Sequence, residues 1–265
     1  MRWLVTGPGS VYLSLVRRQR ARIRYDNGWI FHFPNGVMPW YDLSVPTLHD
    51  VEGRSKDAFQ FHYRVRPGDT VLDIGAGVGE DTLWFSRSVG PSGRVIAVEA
   101  HPSTCASLEK MRELNDLGNT VVVQAAIADR EGRSTITDAE GTMESSIVRG
   151  TGTGRLVRLM SIDQLAAETG IDRIDLLKMN IEGAESLAIQ GMKRTIRRVH
   201  HVVISCHDFL ATTGFDDPMR TKSIVSDFLG SHGFHITSRE YDRRPWIRDT
   251  LYGTNVDSQK GIDTL

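Results

Sequence analysis

Val71-Leu-Asp-Ile-Gly-Ala-Gly-Val-Gly79 is an apolar, β-branched run that breaks into three alternating glycines, followed by Glu80, Asp81 and a helical pattern to Val89. Strand, glycine turn and helix in that order open the βαβ unit of nucleotide-binding α/β sheets. Glycines at 75, 77 and 79 let the backbone turn tightly and meet a ligand with no Cβ in the way, and the helix start offers unpaired N–H groups. The dinucleotide fingerprint puts its third glycine three residues after the second, beside a pyrophosphate; here that position is Glu80. Two adjacent acids at that edge disfavour a phosphate and favour a cationic centre, an amine or a sulfonium.

Outward from this turn the chain alternates strands and helices. Strands are expected at Thr70 to Ile74, Arg94 to Glu99, Thr120 to Gln124, Ile174 to Met179 and Val199 to Ser205, with helices at Glu80 to Val89 and Pro102 to Leu117. Ser161-Ile-Asp-Gln164 reads as a capping box for a helix that stops at Gly170, and Asp217-Pro218 as the start of another. Phe234 to Glu240 and Thr250 to Tyr252 form a terminal strand pair, and an extra strand or hairpin lies near Ser134 to Thr137. Glycines and hydroxyl residues make Asp138 to Arg155 a surface loop able to serve as a lid. This recurrence is that of an α/β parallel sheet covered on both faces. Glu99, at the end of the second strand, stands where a carboxylate accepts hydrogen bonds from ribose hydroxyls.

The first 65 residues read differently and form an N-terminal cap; residues 66–253 form the main domain and 254–265 a polar tail. Arg22 to Phe33 is a hairpin around Asn27-Gly28, whose positive-φ preference suits a two-residue type I′ turn. A Pro-rich loop carrying Trp40 and Tyr41 follows, then a helix from Val51 to Tyr63 capped by Asp50. Trp29, Trp40, Tyr41 and Trp246 are either packing anchors or platforms for a sugar ring.

With 32 basic and 33 acidic residues the formal net charge is -1, which argues against a polyanion partner, so no nucleic acid is expected. The five arginines between 17 and 24 read as a solvated or subunit-contacting face, through which the cap would form a homodimer. Two cysteines, Cys105 and Cys206, exclude a disulfide framework, a Cys-rich zinc site and a radical-type iron–sulfur cluster. Basic residues follow the first apolar stretch and no 18-residue apolar run exists, so a cytoplasmic protein without membrane insertion is expected.

Val71 to Thr82, Gly93-Arg-Val-Ile-Ala-Val-Glu-Ala-His-Pro102, Leu176-Leu-Lys-Met-Asn-Ile-Glu-Gly-Ala-Glu185 and Ile204-Ser-Cys-His207 together resemble the FkbM family of class I S-adenosylmethionine-dependent methyltransferases. The resemblance covers roughly residues 66 to 240. It implies a Rossmann-like fold with a mostly parallel seven-stranded sheet, and an O-methyltransferase acting on hydroxyls of sugars or oligosaccharides. A weaker likeness over the whole chain points to mannoside methyltransferases of polysaccharide assembly. Carried over by residue, Asp73, Gly75, Gly77, Glu80 and Thr82 surround the methionine half of the cofactor, Glu99 its ribose, and Gln124 to Ala126, with Ala125 central, its adenine. Ser145 and Ser146 match a serine-rich stretch near the cofactor.

Asn180 departs from the family, which usually has Asp there. Related metal-dependent O-methyltransferases bind Mg²⁺ at this sheet edge with oxygen ligands, and Asn180, Glu182 and Asp208 are the corresponding candidates. Methyl transfer to a hydroxyl needs its proton removed, for which His207 is the expected base and Glu182 the other candidate. Plain structural roles stand beside these: Glu182 and Glu185 as acids at a helix start, His207 as a strand-end histidine. Two other functions compete, an NAD-dependent dehydrogenase, which Glu80 disfavours, and a non-catalytic cofactor-binding module. No Asn/Asp-Pro-Pro-aromatic motif of nucleic-acid amino methylation follows the fourth strand.

Overall fold

The computed structural model describes residues 21–26, 28–44, 46–137, 154–211 and 219–256. Its centre is a seven-stranded sheet of β4 (Thr70–Ile74), β5 (Arg94–Glu99), β6 (Thr120–Gln124), β10 (Ile174–Met179), β11 (Val199–Ser205), β12 (Phe234–Ser238) and β13 (Thr250–Asn255). The spatial order is β12-β13-β11-β10-β4-β5-β6. β13 runs antiparallel to both its neighbours, and the other pairings are parallel. All six residues of β10 are buried, as continuous apolar strands at a sheet centre must be when helices cover both faces. The expected Rossmann-like, mostly parallel sheet is therefore present.

Helices α2 (Glu80–Val89), α3 (Pro102–Leu114), α4 (Ile162–Thr169), α5 (Glu185–Gln190), α6 (Lys222–Ser231) and α7 (Pro245–Arg248) complete the main domain. Helix α3 ends at Leu114 instead of Leu117, because Asn115 turns its side chain onto the Met111 carbonyl and Asp116 takes positive φ. Ser161 caps α4 through the Gln164 N–H, and Gly170 ends it in the left-handed conformation. Gln164 donates to Glu168, where a full capping box would turn it back to Ser161. Helix α6 begins at Lys222, and residues 217–218 lie outside the described residues. The β13 strand continues to Asn255, past the expected boundary at 253. A separate three-stranded sheet joins β7 (Ala126–Ile127), β8 (Gly132–Thr137) and β9 (Gly154–Met160); residues 138–153 of the expected lid lie outside the described residues, and Gly154 and Arg155 belong to β9.

The cap holds three antiparallel strands, β1 (Arg22–Tyr25), β2 (Trp29–Phe33) and β3 (Gly36–Trp40), and helix α1 (Leu48–Ala58). Tyr25 pairs with Trp29, leaving three residues in the turn and not the two of a type I′ hairpin. The Pro-rich loop expected after Phe33 is in part strand β3, and Pro39 is tolerated there because β3 is an edge. Helix α1 starts three residues before the expected Val51: Thr47 is its N-cap, Asp50 its third residue, and the two bond reciprocally in a capping box. Thr47→Ala should lower the unfolding free energy by about 1 kcal/mol, measurable by denaturant titration; an unchanged midpoint would show that the box contributes nothing.

This cap is not a detached module. Phe31, Met38, Leu48 and Val51 share one buried cluster with Leu83, Trp84, Leu108 and Met111 of the main domain. Each such side chain contributes about 1.5–3 kcal/mol when withdrawn from water, enough to weld the two parts. The Asn115 amide adds a clasp, accepting from the Val37 N–H at 2.9 Å and donating to its carbonyl at 2.7 Å.

Candidate active site

The glycine turn leaves β4 at the carboxyl edge of the sheet, where open α/β folds bind ligands. Gly75 and Ala76 donate to the Val98 carbonyl, and Asn180 donates to Ile74, so the ends of three neighbouring strands are tied together. Gly75 has φ +75°, and a Cβ there would run into the Asn180 carbonyl oxygen; only bare backbone permits this approach. A cleft of about 770 Å³, open mouth included, lies over the turn, with Gly75, Gly77, Glu99, Ala125, Asn180 and Glu182 on its walls. That size suits a small-molecule or cofactor site.

Glu99 ends β5 on the cleft wall. Its two carboxylate oxygens accept the Gly77 N–H at 3.0 Å and the His101 N–H at 2.8 Å, which fixes its orientation. Burial raises its pKa against the lowering effect of those two bonds. Ala125 follows β6 and bonds back to the Glu99 carbonyl. Gly75, Gly77, Glu99, Ala125, Asn180 and Glu182 are thus brought together as expected, and Ser145 lies outside the described residues.

Asp73 and Thr82 correct the expectation of direct contact. Both are fully buried beneath the turn, where the Thr82 hydroxyl donates to Asp73 at 2.6 Å. Their partner is Lys178, opposite Asp73 in the β10–β4 register, with its ammonium 2.9 Å from the Asp73 carboxylate and donating to the Gly75 carbonyl at 2.8 Å. Burial pushes the Lys178 ammonium down, but Asp73 and Asp81 outweigh it and keep it charged. Lys178 therefore holds the glycine turn from below. The sequence reading passed over it, although a lone lysine in an apolar central strand is itself a signal of a buried partner.

On the other side of Asn180, Glu182 sits at φ +53°, an uncommon conformation for a residue with a side chain and one that tends to occur at functional sites. His207 lies behind it, 3% exposed. Its Nδ1 is 2.8 Å from Glu185 Oε1 and its Nε2 is 3.3 Å from Glu182 Oε1. Glu185 is wholly buried and also accepts the Thr221 hydroxyl and the Gly183 N–H. Burial pushes the imidazole down, yet hydrogen bonds to Glu182 and Glu185 and their charges overcome this and raise it to about 9. At neutral pH both ring nitrogens carry protons, so His207 is no proton acceptor, contrary to the sequence expectation. Glu185, read as a helix-start acid, is the residue that orients the histidine.

The histidine also predicts a pH dependence of stability. Its folded pKa of about 9 exceeds the unfolded 6.5, so its contribution is complete below pH 6.5 and is lost as pH rises through 9. The difference is worth about 3 kcal/mol. Unfolding titrations at pH 6 and pH 9.5 should show this loss in the wild type and not in His207→Gln; equal slopes in both would refute it.

A magnesium site does not fit these residues. Asp208 spends Oδ1 on the N–H groups of Thr221 and Lys222, both at 2.9 Å, and so caps α6. Glu182 faces a cation already, and Asn180 brings no charge. Among the described residues no group of three or more His, Cys, Asp or Glu is disposed to hold a metal ion.

The model of the methyltransferase FkbM domain matches residues 73–236, more than half of the chain. The chain belongs to the FkbM methyltransferase family. That membership sets aside the dehydrogenase reading. The chain is similar to the AMB antimetabolite synthetase AmbE of Pseudomonas aeruginosa, 26% identical over 263 residues, 76% of this chain and 12% of AmbE. It is also similar to the ubiquinone/menaquinone biosynthesis C-methyltransferase UbiE of Pasteurella multocida, 47% identical over 62 residues, 23% of either protein. Among solved structures, methyltransferase FkbM from Methylobacillus flagellatus superimposes with a TM-score of 0.51 at 18% identity, over 73% of this chain and 45% of that one. The chain thus spans less than half the length of each of these relatives, and the structural likeness shows the fold. No helix among the described residues is long and apolar enough to cross a membrane.

Proposed function

We propose that this FkbM-family chain transfers a methyl group from S-adenosylmethionine to a hydroxyl of a sugar or oligosaccharide, with mannosides the first acceptors to test. The observation that carries the reading is the Glu182 carboxylate on the cleft wall with the His207 ring 3.3 Å behind it, held in turn by Glu185 at 2.8 Å. When bound, S-adenosylmethionine supplies a methyl group on a sulfonium with a neutral leaving group. The glycine turn and Glu99 fit its nucleoside part: the turn admits close backbone approach, and a carboxylate is a strong acceptor for two ribose hydroxyls.

Most of the acceleration then comes from alignment, and the remaining demand is the acceptor proton. An alcohol is a weak nucleophile until that proton leaves. Glu182 accepts it, and the His207 ring, oriented by Glu185, holds the carboxylate in place. Asn180, between Gly75 and Glu182 on the wall, offers an uncharged amide to orient the acceptor hydroxyl. No step requires a metal.

The test is incubation with methyl-labelled S-adenosylmethionine and a panel of small glycans, mannosides included, with and without a chelator. Labelled glycan and S-adenosylhomocysteine should form equally in both. Labelling of no glycan would overturn the acceptor class, and loss of activity with chelator would overturn the metal-free assignment.

A further inference from the structure

A second cleft of about 890 Å³, open mouth included, adjoins the first and shares Asn180 with it. Its walls come from cap helix α1 with Arg54 and Asp57, from the start of α2, and from α7 with Trp246. With the cofactor in the first cleft, the methyl acceptor needs a separate space that meets the first at the reacting end. Asn180 stands where the two clefts meet, two residues before Glu182.

The four aromatic residues that could pack or stack part company in the structure. Trp29 and Trp40 lie against the buried cluster shared by cap and main domain, and the Tyr41 ring is 6.0 Å from that of Trp40. Trp246 is 51% exposed and lines the second cleft. Its position is fixed from two sides. Toward the cap, Asp57 accepts from Arg239 at 2.9 Å and from Arg244 at 2.6 Å, and both arginines also meet Asp242 at 2.7 Å. Such a network holds a geometry that an isolated surface pair does not. Toward the main domain, the Thr250 hydroxyl donates to the Trp246 carbonyl at 2.7 Å and the Lys222 ammonium to the Arg248 carbonyl at 2.9 Å.

We infer that Trp246 is the platform for the sugar ring that carries the reactive hydroxyl. The apolar C–H face of a pyranose lies on the indole, and one edge of the ring reaches Asn180 and Glu182. An open aromatic face with a few polar groups beside it is the pattern of a small-molecule site, and an indole already held in place gives up little freedom on binding. The inference rests on the reading that the acceptor is a sugar. It makes the cap a determinant of acceptor choice, since α1 forms one wall of the cleft and its Asp57 anchors the loop that carries the platform.

Kinetics of the full chain with S-adenosylmethionine and methyl α-mannoside or mannotriose test it, beside glycan binding followed by ligand-observed NMR. In Trp246→Ala the KM for the glycan should rise about 10-fold with kcat little changed, and the binding signal should weaken in parallel. S-adenosylhomocysteine affinity and melting temperature should hold, because Trp246 is half exposed and is not on the wall of the first cleft. Trp246→Phe, which keeps a flat ring, should stay within about 3-fold of the wild type. An unchanged KM in Trp246→Ala, or an equal loss in Trp246→Phe, overturns the platform. A wild type that binds a glycan without methylating it fails the proposed function and not the platform, and one that binds neither glycan overturns both.

Discussion

Glu182→Gln is expected to lower kcat about 10²- to 10⁴-fold at saturating S-adenosylmethionine and acceptor, the range that a general base supplies. The substitution keeps the size and a hydrogen-bonding oxygen toward His207 but removes the group able to take a proton. Cofactor affinity should hold, because Gly77 and Glu99, which we propose meet the nucleoside part, lie on other elements. The measurement is turnover beside S-adenosylhomocysteine affinity. Near-wild-type turnover would dismiss Glu182 as the base. His207→Gln separates the roles further: it leaves the Glu182 carboxylate present but without the ring that positions it, so a smaller loss of kcat is expected.

Lys178→Met should cost about 3–5 kcal/mol of unfolding free energy, the range for removing one member of a buried ion pair. Asp73 would be left at zero exposure with the Thr82 hydroxyl alone, and the Gly75 carbonyl would lose its ammonium donor. The ammonium also lies 5.2 Å from the centre of the Phe59 ring, so the loss reaches the segment after α1. Pairing Lys178→Met with Asp73→Asn should recover much of the loss, since no uncompensated charge then remains. Denaturant unfolding of the single and double variants measures both values; a single-variant loss below about 1 kcal/mol would mean the pair is solvated in a way its burial does not allow. Because Lys178 supports the turn from beneath, the single variant should also bind S-adenosylhomocysteine more weakly.

Much of the frame was legible before any coordinates. The bounds of α2, β5, β6, β10 and β11 follow from local pattern: apolar runs, with Gly90 closing α2 and Glu99 closing β5. Residues Gly75, Gly77, Glu99 and Ala125 were placed at the site because a strand end and a turn put them there whatever the rest of the chain does. The errors have a common origin. The early start of α1 depended on a capping box in which Asp50, expected as the cap itself, is the third helical residue and Thr47 the cap, and β3 on a proline that an edge strand tolerates. The role given to His207 depended on how many carboxylates reach its ring.

The sequence by itself determined the alternation of strands and helices and the glycine turn, since each is carried by periodicity and spacing over a few residues, and its motifs carried the likeness to the family. Only the tertiary structure decided which charged groups face a ligand and which face one another. Lys178 meets Asp73 across 105 residues of chain, Glu185 meets His207 across 22 and Arg54 meets Glu80 across 26. The pairing of each follows from distances and burial that no local pattern encodes, because electrostatic interaction depends on separation in space and on the water excluded between the partners.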